Sequence, residues 1–211
     1  MEQQDLYGPM PPLNGVQSNA AIMLGMLGAI GAGVPLLGAH FFFLLQMFHQ
    51  QSGRGDKYTP AYFRARIYFY AFLLVLRGVA ESALGALIRD DIGSGMLAAP
   101  VVTLPFVVVY PEISIADGLL VLCFGLLGII IAVAGLRGMA VPYFGLGAFV
   151  IVFQLATYIL TQIGLSPAPK VVAAILTGNT VIGVLMPVYL VANMQQRPDY
   201  CHLPAPSEVL L

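Results

Sequence analysis

Charged side chains are scarce in this chain of 211 residues: Asp, Glu, Lys and Arg make up only 9% of it. A typical soluble domain is roughly 25% charged, so this chain has too little polar surface to cover a globule in water. Lys and Arg number 9 against 10 acidic residues, which excludes a nucleic-acid binder that neutralises phosphates with a basic surface. The scarcity of charge therefore predicts surroundings other than water.

Cysteine and the common catalytic motifs are also largely missing. Cys123 lies in a long apolar run and Cys201 in the polar C-terminal tail, so no disulfide framework is expected. His40, His49 and His202 have neither metal-ligand spacing nor the facing arrangement that haem requires. The sequence contains no phosphate-binding glycine loop, nucleophile elbow or zinc-protease motif. We therefore expect a protein that is not an enzyme, with no catalytic residues, no cofactor and no metal site.

Apolar sequence, in contrast, is abundant: 59% of the residues are hydrophobic and the mean hydropathy is +0.87. A helix needs roughly 20 mostly apolar residues to cross the hydrocarbon of a bilayer. Five segments meet this requirement, which predicts an all-α, multi-pass transmembrane bundle over 20–192, between polar tails at 1–19 and 193–211. The spans are expected at about 20–48, 61–88, 113–136, 141–165 and 171–191.

The segment between the second and third spans, 89–112, is apolar but rich in Val and interrupted by Pro100, Pro105 and Pro111. This composition favours extended or re-entrant backbone over a helix. Irregular backbone at membrane depth must be covered by protein, so the loop is expected to pack on its own bundle or on a partner. A sixth span here is the alternative.

The distribution of Lys and Arg predicts the orientation. With five spans, one side of the membrane receives six basic residues and the other side two, Arg89 and Lys170. The N-terminus is then expected outside, or in the intermembrane space of an organelle, and the C-terminus inside. The six are Arg54, Lys57, Arg64, Arg66, Arg137 and Arg197.

Small residues recur at helical spacing inside the spans. Gly78, Ser82 and Gly85 share a face of the second span, and Gly118 and Gly125 share a face of the third. Such faces let membrane helices approach closely. They predict either packing within the bundle or an oligomer interface, and packing within the bundle is the interpretation we favour because glycine is enriched in membrane spans generally.

Polar residues interrupt the spans at related depths. Arg77 lies about 15 Å inside the second span, and Glu81 follows four residues later on the same face. A buried charge is costly in a membrane, so each such residue is a candidate for function. The predicted topology brings six other polar residues to a similar depth: Asp117, Gln154, Tyr158, Thr161, Asn179 and Thr180.

Two interpretations of these residues remain open. In one, they form a path for protons, ions or a small anionic solute, with Arg77 as the fixed positive charge. In the other, Arg77 and Glu81 neutralise each other and the network only fixes how the helices pack. In either case Arg77 is expected to be paired and not to face lipid.

These features predict a non-catalytic integral membrane subunit of a larger membrane complex, with a structural or assembly role. Its expected partners are other membrane protein subunits and membrane lipids, without nucleic acid. An accessory subunit of an energy-converting organelle membrane, such as the mitochondrial inner membrane, is the favoured setting by analogy. The alternative is a small-solute or ion transporter or channel that uses the polar residues around Arg77.

Overall fold

A computed structural model describes residues 23–24, 26–28, 38–41, 60–92, 101–103, 106–108, 110–134, 137–162 and 167–195. Its long helices are α1 (Pro60–Ile92), α2 (Pro111–Ala134), α3 (Ala140–Gln162) and α4 (Pro167–Gln195). Two short strands, β1 (Val101–Thr103) and β2 (Phe106–Val108), lie between α1 and α2. A single 3₁₀ turn, Arg137–Met139, leads into α3.

Each of the four helices contains a stretch that is long and apolar enough to cross a membrane, so the chain has the build of an integral membrane protein. These stretches match the second to fifth expected spans. The first expected span, 20–48, lies largely outside the described residues, although 23–24, 26–28 and 38–41 are helical. The structure thus shows four candidate spans, and a total of five or six stays a prediction. The four are Phe63–Asp90, Pro111–Ala134, Ala140–Leu160 and Ala173–Met194.

Three of the helices begin at a proline, namely Pro60, Pro111 and Pro167. Proline suits the first turn of a helix because its fixed φ is helical and its missing N–H would have no partner there. This is why α1, α2 and α4 begin one to four residues earlier than the apolar runs alone predicted. At the start of α2 the backbone N–H of Ser114 donates to the carbonyl of Tyr110 at 3.1 Å, which closes the first turn.

The backbones of α1 and α2 touch through glycines. A Cβ placed on Gly78 would lie 2.5 Å from the carbonyl oxygen of Gly118, and one placed on Gly118 would lie 2.5 Å from the backbone nitrogen of Ser82. One placed on Gly125 would lie 2.8 Å from the carbonyl oxygen of Ala71. No side chain fits at these points. The small-residue faces of α1 and α2 therefore serve packing within the bundle, which is the favoured of the two predictions for them.

Aromatic packing joins α3 to this pair. The ring of Tyr143 stacks on Phe124 of α2, with centroids 4.4 Å apart and planes 11° from parallel. A Cβ on Gly147, one turn further along α3, would lie 3.0 Å from the Phe124 ring, so glycine makes room for the stack. Both rings belong to the largest cluster of buried residues, which also takes in α1 and α4. Its members include Ile67, Tyr70, Leu74, Val121, Ile131, Val150, Val184, Leu190 and Val191.

The two strands pair as an antiparallel hairpin in which Val101 faces Val108 and Thr103 faces Phe106. Extended backbone therefore occurs where the Val-rich, Pro-interrupted sequence of 89–112 predicted it. Val108 is fully buried in a second apolar cluster with Ala80 and Leu84 of α1. The hairpin thus packs on its own bundle at this point.

Candidate functional site: a buried ion cluster between three helices

Helix α1 supplies a guanidinium group and a carboxyl group at the centre of the site. Arg77 and Glu81 are one turn apart, and Nη2 of Arg77 lies 2.9 Å from Oε2 of Glu81. The Arg77 side chain is 7% exposed and the Glu81 side chain 10%. The ion pair expected from their spacing is present, and Arg77 does not face lipid.

Helix α2 brings a second carboxyl group to the same guanidinium. Oδ2 of Asp117 lies 3.8 Å from Nη2 of Arg77, and the Asp117 side chain is 6% exposed. The glycine contact explains this position. The two helices run antiparallel, with Gly85 against Ile115 and Gly118 against Ser82, so Asp117 lies level with Glu81 and about one turn from Arg77.

Helix α3 supplies an amide. Nε2 of Gln154 donates hydrogen bonds to both carboxylate oxygens of Asp117. Gln154 is buried, and the hydroxyl of Thr157 donates to its backbone carbonyl at 2.9 Å. The bond from Gln154 joins α3 to α2 at the level of Asp117. We call Arg77, Glu81, Asp117 and Gln154 the ion cluster.

The carboxyl groups of Glu81 and Asp117 also lie within hydrogen-bond reach of each other. Around one guanidinium the ion cluster therefore holds two acidic groups. This arrangement can tie three helices together through charge and hydrogen bonds, and it can hold a proton between two carboxyl groups.

The other four residues predicted for the site lie on α3 and α4. Thr180 is buried on α4, where its hydroxyl donates to the carbonyl of Leu176 in its own helix at 3.0 Å. Tyr158 is half-buried on α3, and the side chain of Thr161 lies outside the described residues. Asn179 is buried on α4, and its described contact is with a histidine of the first expected span.

That histidine, His40, joins the first span to α1 and α4. Its Nδ1 lies 3.4 Å from the hydroxyl of Tyr70, and its Nε2 lies 3.4 Å from the backbone carbonyl of Asn179. The imidazole stacks on the Tyr70 ring, with centroids 5.8 Å apart and planes 16° from parallel. Tyr70 precedes Arg77 by two helical turns, so this contact lies about 10 Å along α1 from the ion cluster.

Sequence reasoning missed Tyr70 and Tyr143, two tyrosines that are fully buried. The position of Tyr70 could have been predicted from the sequence. Residues seven apart lie on the same face of a helix, so Tyr70 lies on the same face of α1 as Arg77. No such pattern singles out Tyr143. Its burial depends on the ring of Phe124 from another helix.

Among the described residues, no group of three or more His, Cys, Asp or Glu side chains is placed to hold a metal ion.

Comparison of the chain with protein-family models, with curated proteins and with solved structures finds no match. The function must therefore be argued from the geometry of the chain itself.

Proposed function

We propose that the chain is a non-catalytic integral membrane subunit of a larger membrane complex, with a structural or assembly role. The observation that carries this proposal is that the buried charged groups contact one another between helices. Arg77, Glu81 and Asp117 contact one another across α1 and α2, and Gln154 of α3 completes the set. Groups placed in this way hold helices in register.

The glycine contacts support the same role. Where backbones touch, as at Gly78 and Gly118, neither helix can slide or rotate without a steric clash. Transport by alternating access needs helices that move against each other. A closely packed α1–α2 pair is better suited to a fixed scaffold than to a gate.

The outer surface of the bundle suits lipid and apolar neighbours. On α3, Val141, Val152 and Ile159 are 63–79% exposed. In a membrane such a surface contacts lipid tails or the apolar face of another subunit. We propose membrane lipids and other membrane subunits as its partners. As the setting we propose an energy-converting organelle membrane, with the N-terminus in the outer or intermembrane compartment, by analogy with the small multi-span subunits of such complexes.

Native electrophoresis of gently solubilised membranes tests the proposal. We expect the 22.5 kDa chain to migrate in an assembly much larger than itself, together with other membrane proteins. A sample treated with a denaturing detergent is the control and should release the free chain. Migration of the gently solubilised chain as a monomer or a simple dimer would contradict the proposal.

The second candidate is a transporter or channel for ions or small solutes, and the excess of acidic groups in the ion cluster favours it. Two carboxyl groups face one guanidinium, and intramembrane acids of this kind mark proton and cation pathways. Flux into liposomes that contain only the purified chain tests it. Glu112, at the partly exposed start of α2, provides the control. A flux that is lower in Glu81→Gln than in the wild type, but unchanged in Glu112→Gln, would favour the transporter.

A further inference from the structure

The charges of the ion cluster do not balance if every group is ionised. Arg77 contributes one positive charge, and Glu81 and Asp117 would contribute two negative charges. All three side chains are at least nine-tenths buried in a bundle built to sit in hydrocarbon. An uncompensated charge in such a place is expensive, so the cluster requires one more positive charge.

The hydrogen bonds show which carboxyl group is the ionised one. Both oxygens of Asp117 accept hydrogen bonds from Gln154, and the guanidinium of Arg77 lies 3.8 Å from Oδ2 of Asp117. An acid surrounded by donors in this way is held in its acceptor-only, ionised form.

The carboxyl group of Glu81 has different surroundings from that of Asp117. Its Oε2 is buried and lies 2.9 Å from Nη2 of Arg77, but without the alignment of a hydrogen bond, and it has no other hydrogen-bond partner in the described part of the chain. A buried carboxylate oxygen would ordinarily receive such bonds. Glu81 also lies within hydrogen-bond reach of Asp117, and two ionised carboxylates are both acceptors and cannot bond to each other.

We infer that Glu81 is a proton-binding site: its carboxyl group carries a proton and donates it in a hydrogen bond to the ionised Asp117. Arg77 then balances Asp117, and the cluster as a whole is neutral. This inference goes beyond the structural role proposed above and does not depend on it, because a subunit with or without partners can hold this proton.

The residues around Glu81 favour a proton over a metal cation as the added charge. In the described structure no set of three or more His, Cys, Asp or Glu side chains could hold a metal ion. The oxygens of Asp117 are already occupied by the Gln154 amide. Of the titratable groups described on neighbouring helices, Glu112 lies at the partly exposed start of α2, and His40 contacts Tyr70, which lies about 16 Å from Glu81 along α1.

The buried polar groups that α4 brings to the described bundle are Asn179 and Thr180, and neither titrates. Among the described residues, Arg77 and Asp117 are the charged groups that act directly on Glu81. The test can therefore be confined to these residues.

Infrared spectroscopy of the full chain in lipid nanodiscs tests the inference. An unionised carboxyl group has a C=O stretching band that ionised carboxylates lack and that shifts in D₂O. We expect this band at neutral pH in the wild type and its loss in Glu81→Gln. Labelling the glutamate side-chain carboxyl groups with ¹³C should shift the band, and the same labelling of aspartate should not. Glu112→Gln, at the membrane surface, is the matched control and should retain the band.

The amide of Glu81→Gln has the shape of a protonated carboxyl group and can donate the same bond to Asp117, so this variant should fold. Absence of the band in the wild type, its shift on labelling of aspartate in place of glutamate, its retention in Glu81→Gln, or failure of Glu81→Gln to fold would each overturn the inference. Replacing potassium by sodium in the buffer should leave the band unchanged, and its disappearance in either salt would show a metal cation in place of the proton.

A second measurement follows from proton linkage. The folded chain holds a proton at Glu81 that the same group releases to water on unfolding, so the folded state binds more protons and its stability falls as the pH rises. The Tm of the wild type should therefore fall between neutral and alkaline pH by more than that of Glu81→Gln. Parallel profiles for the two chains would contradict the inference.

Discussion

Helices α2 and α3 both pack on neighbours inside the same bundle, but they are attached in different ways. The span of α2 is 44% buried and meets α1 backbone to backbone through Gly78, Gly118 and Gly125. The span of α3 is 22% buried and is held by the Phe124–Tyr143 stack and by the bond from Gln154 to Asp117. In lipid, apolar contact alone does not drive helices together. Close backbone approach joins α1 to α2, whereas side-chain contacts join α2 to α3.

The comparison also explains where the ion cluster lies. Its charged members are all on α1 and α2, the pair that glycine holds at a fixed distance. The uncharged member, Gln154, comes from the more loosely held helix. A buried charge must lie close to its counter-ion, because an unpaired buried charge lowers the stability of the fold strongly. A misplaced uncharged amide lowers the stability less. The substitutions below test this difference, from the largest expected effect to the smallest.

The largest effect is expected from Arg77→Leu. Removing the guanidinium leaves Asp117 as a buried charge without its counter-ion, and breaking such a pair typically costs about 3–5 kcal/mol. Loss of helical circular dichroism on heating in detergent would measure it. Arg77→Lys, which keeps the charge, is the control and should retain more stability. If Arg77→Leu were as stable as the wild type, the α1–α2 pair would not depend on the cluster.

Gly118→Val should separate the backbones of α1 and α2. The new side chain would begin 2.5 Å from the backbone nitrogen of Ser82, so a helix must move, at a cost of about 3 kcal/mol. The matched control is Gly145→Ala on α3, where an added Cβ meets nothing within 4 Å. The control should be neutral or stabilising by up to about 1 kcal/mol, because alanine favours the helix. Equal thermal stabilities for the two variants would remove the distinction between α2 and α3.

Gln154→Leu tests the attachment of α3. Asp117 would lose its amide donor but keep Arg77, so we expect a loss of about 1–2 kcal/mol. Val152→Leu, at a position that is 63% exposed on the same helix, should change thermal stability little. Limited proteolysis should then show earlier cleavage around α3 in Gln154→Leu than in the control. A larger loss than in Gly118→Val would reverse our ranking of the two attachments.

The smallest effect is expected at the end of the α1–α2 pair. Nε of Arg89 lies 3.9 Å from Oε1 of Glu112, and the two side chains are 55% and 38% exposed. Exposed pairs of this kind contribute less than about 1 kcal/mol and weaken with salt. Arg89→Ala should therefore shift the Tm only slightly, and by still less at high ionic strength. A shift as large as that of Arg77→Leu would show that burial does not decide the strength of these pairs.

The sequence by itself determined the membrane class, the four described spans to within a few residues, and the Arg77–Glu81 pair. These follow from local rules: about 20 apolar residues cross a bilayer, and residues four apart share a helix face. The extended backbone in 89–112 was predictable on similar grounds, because Pro and Val disfavour a helix there.

Only the tertiary structure decided which distant residues come into contact. The backbone contact at Gly78 and Gly118 fixes the position of α2 along α1 and so brings Asp117 to Arg77, and the hydrogen bond from Gln154 to Asp117 joins α3 to them. The sequence predicted Asn179 at the depth of Arg77, and in the structure the backbone carbonyl of Asn179 lies 3.4 Å from Nε2 of His40. Depth can be counted along one helix at a fixed rise per residue, but the face that a helix turns to its neighbour depends on side-chain contacts between helices.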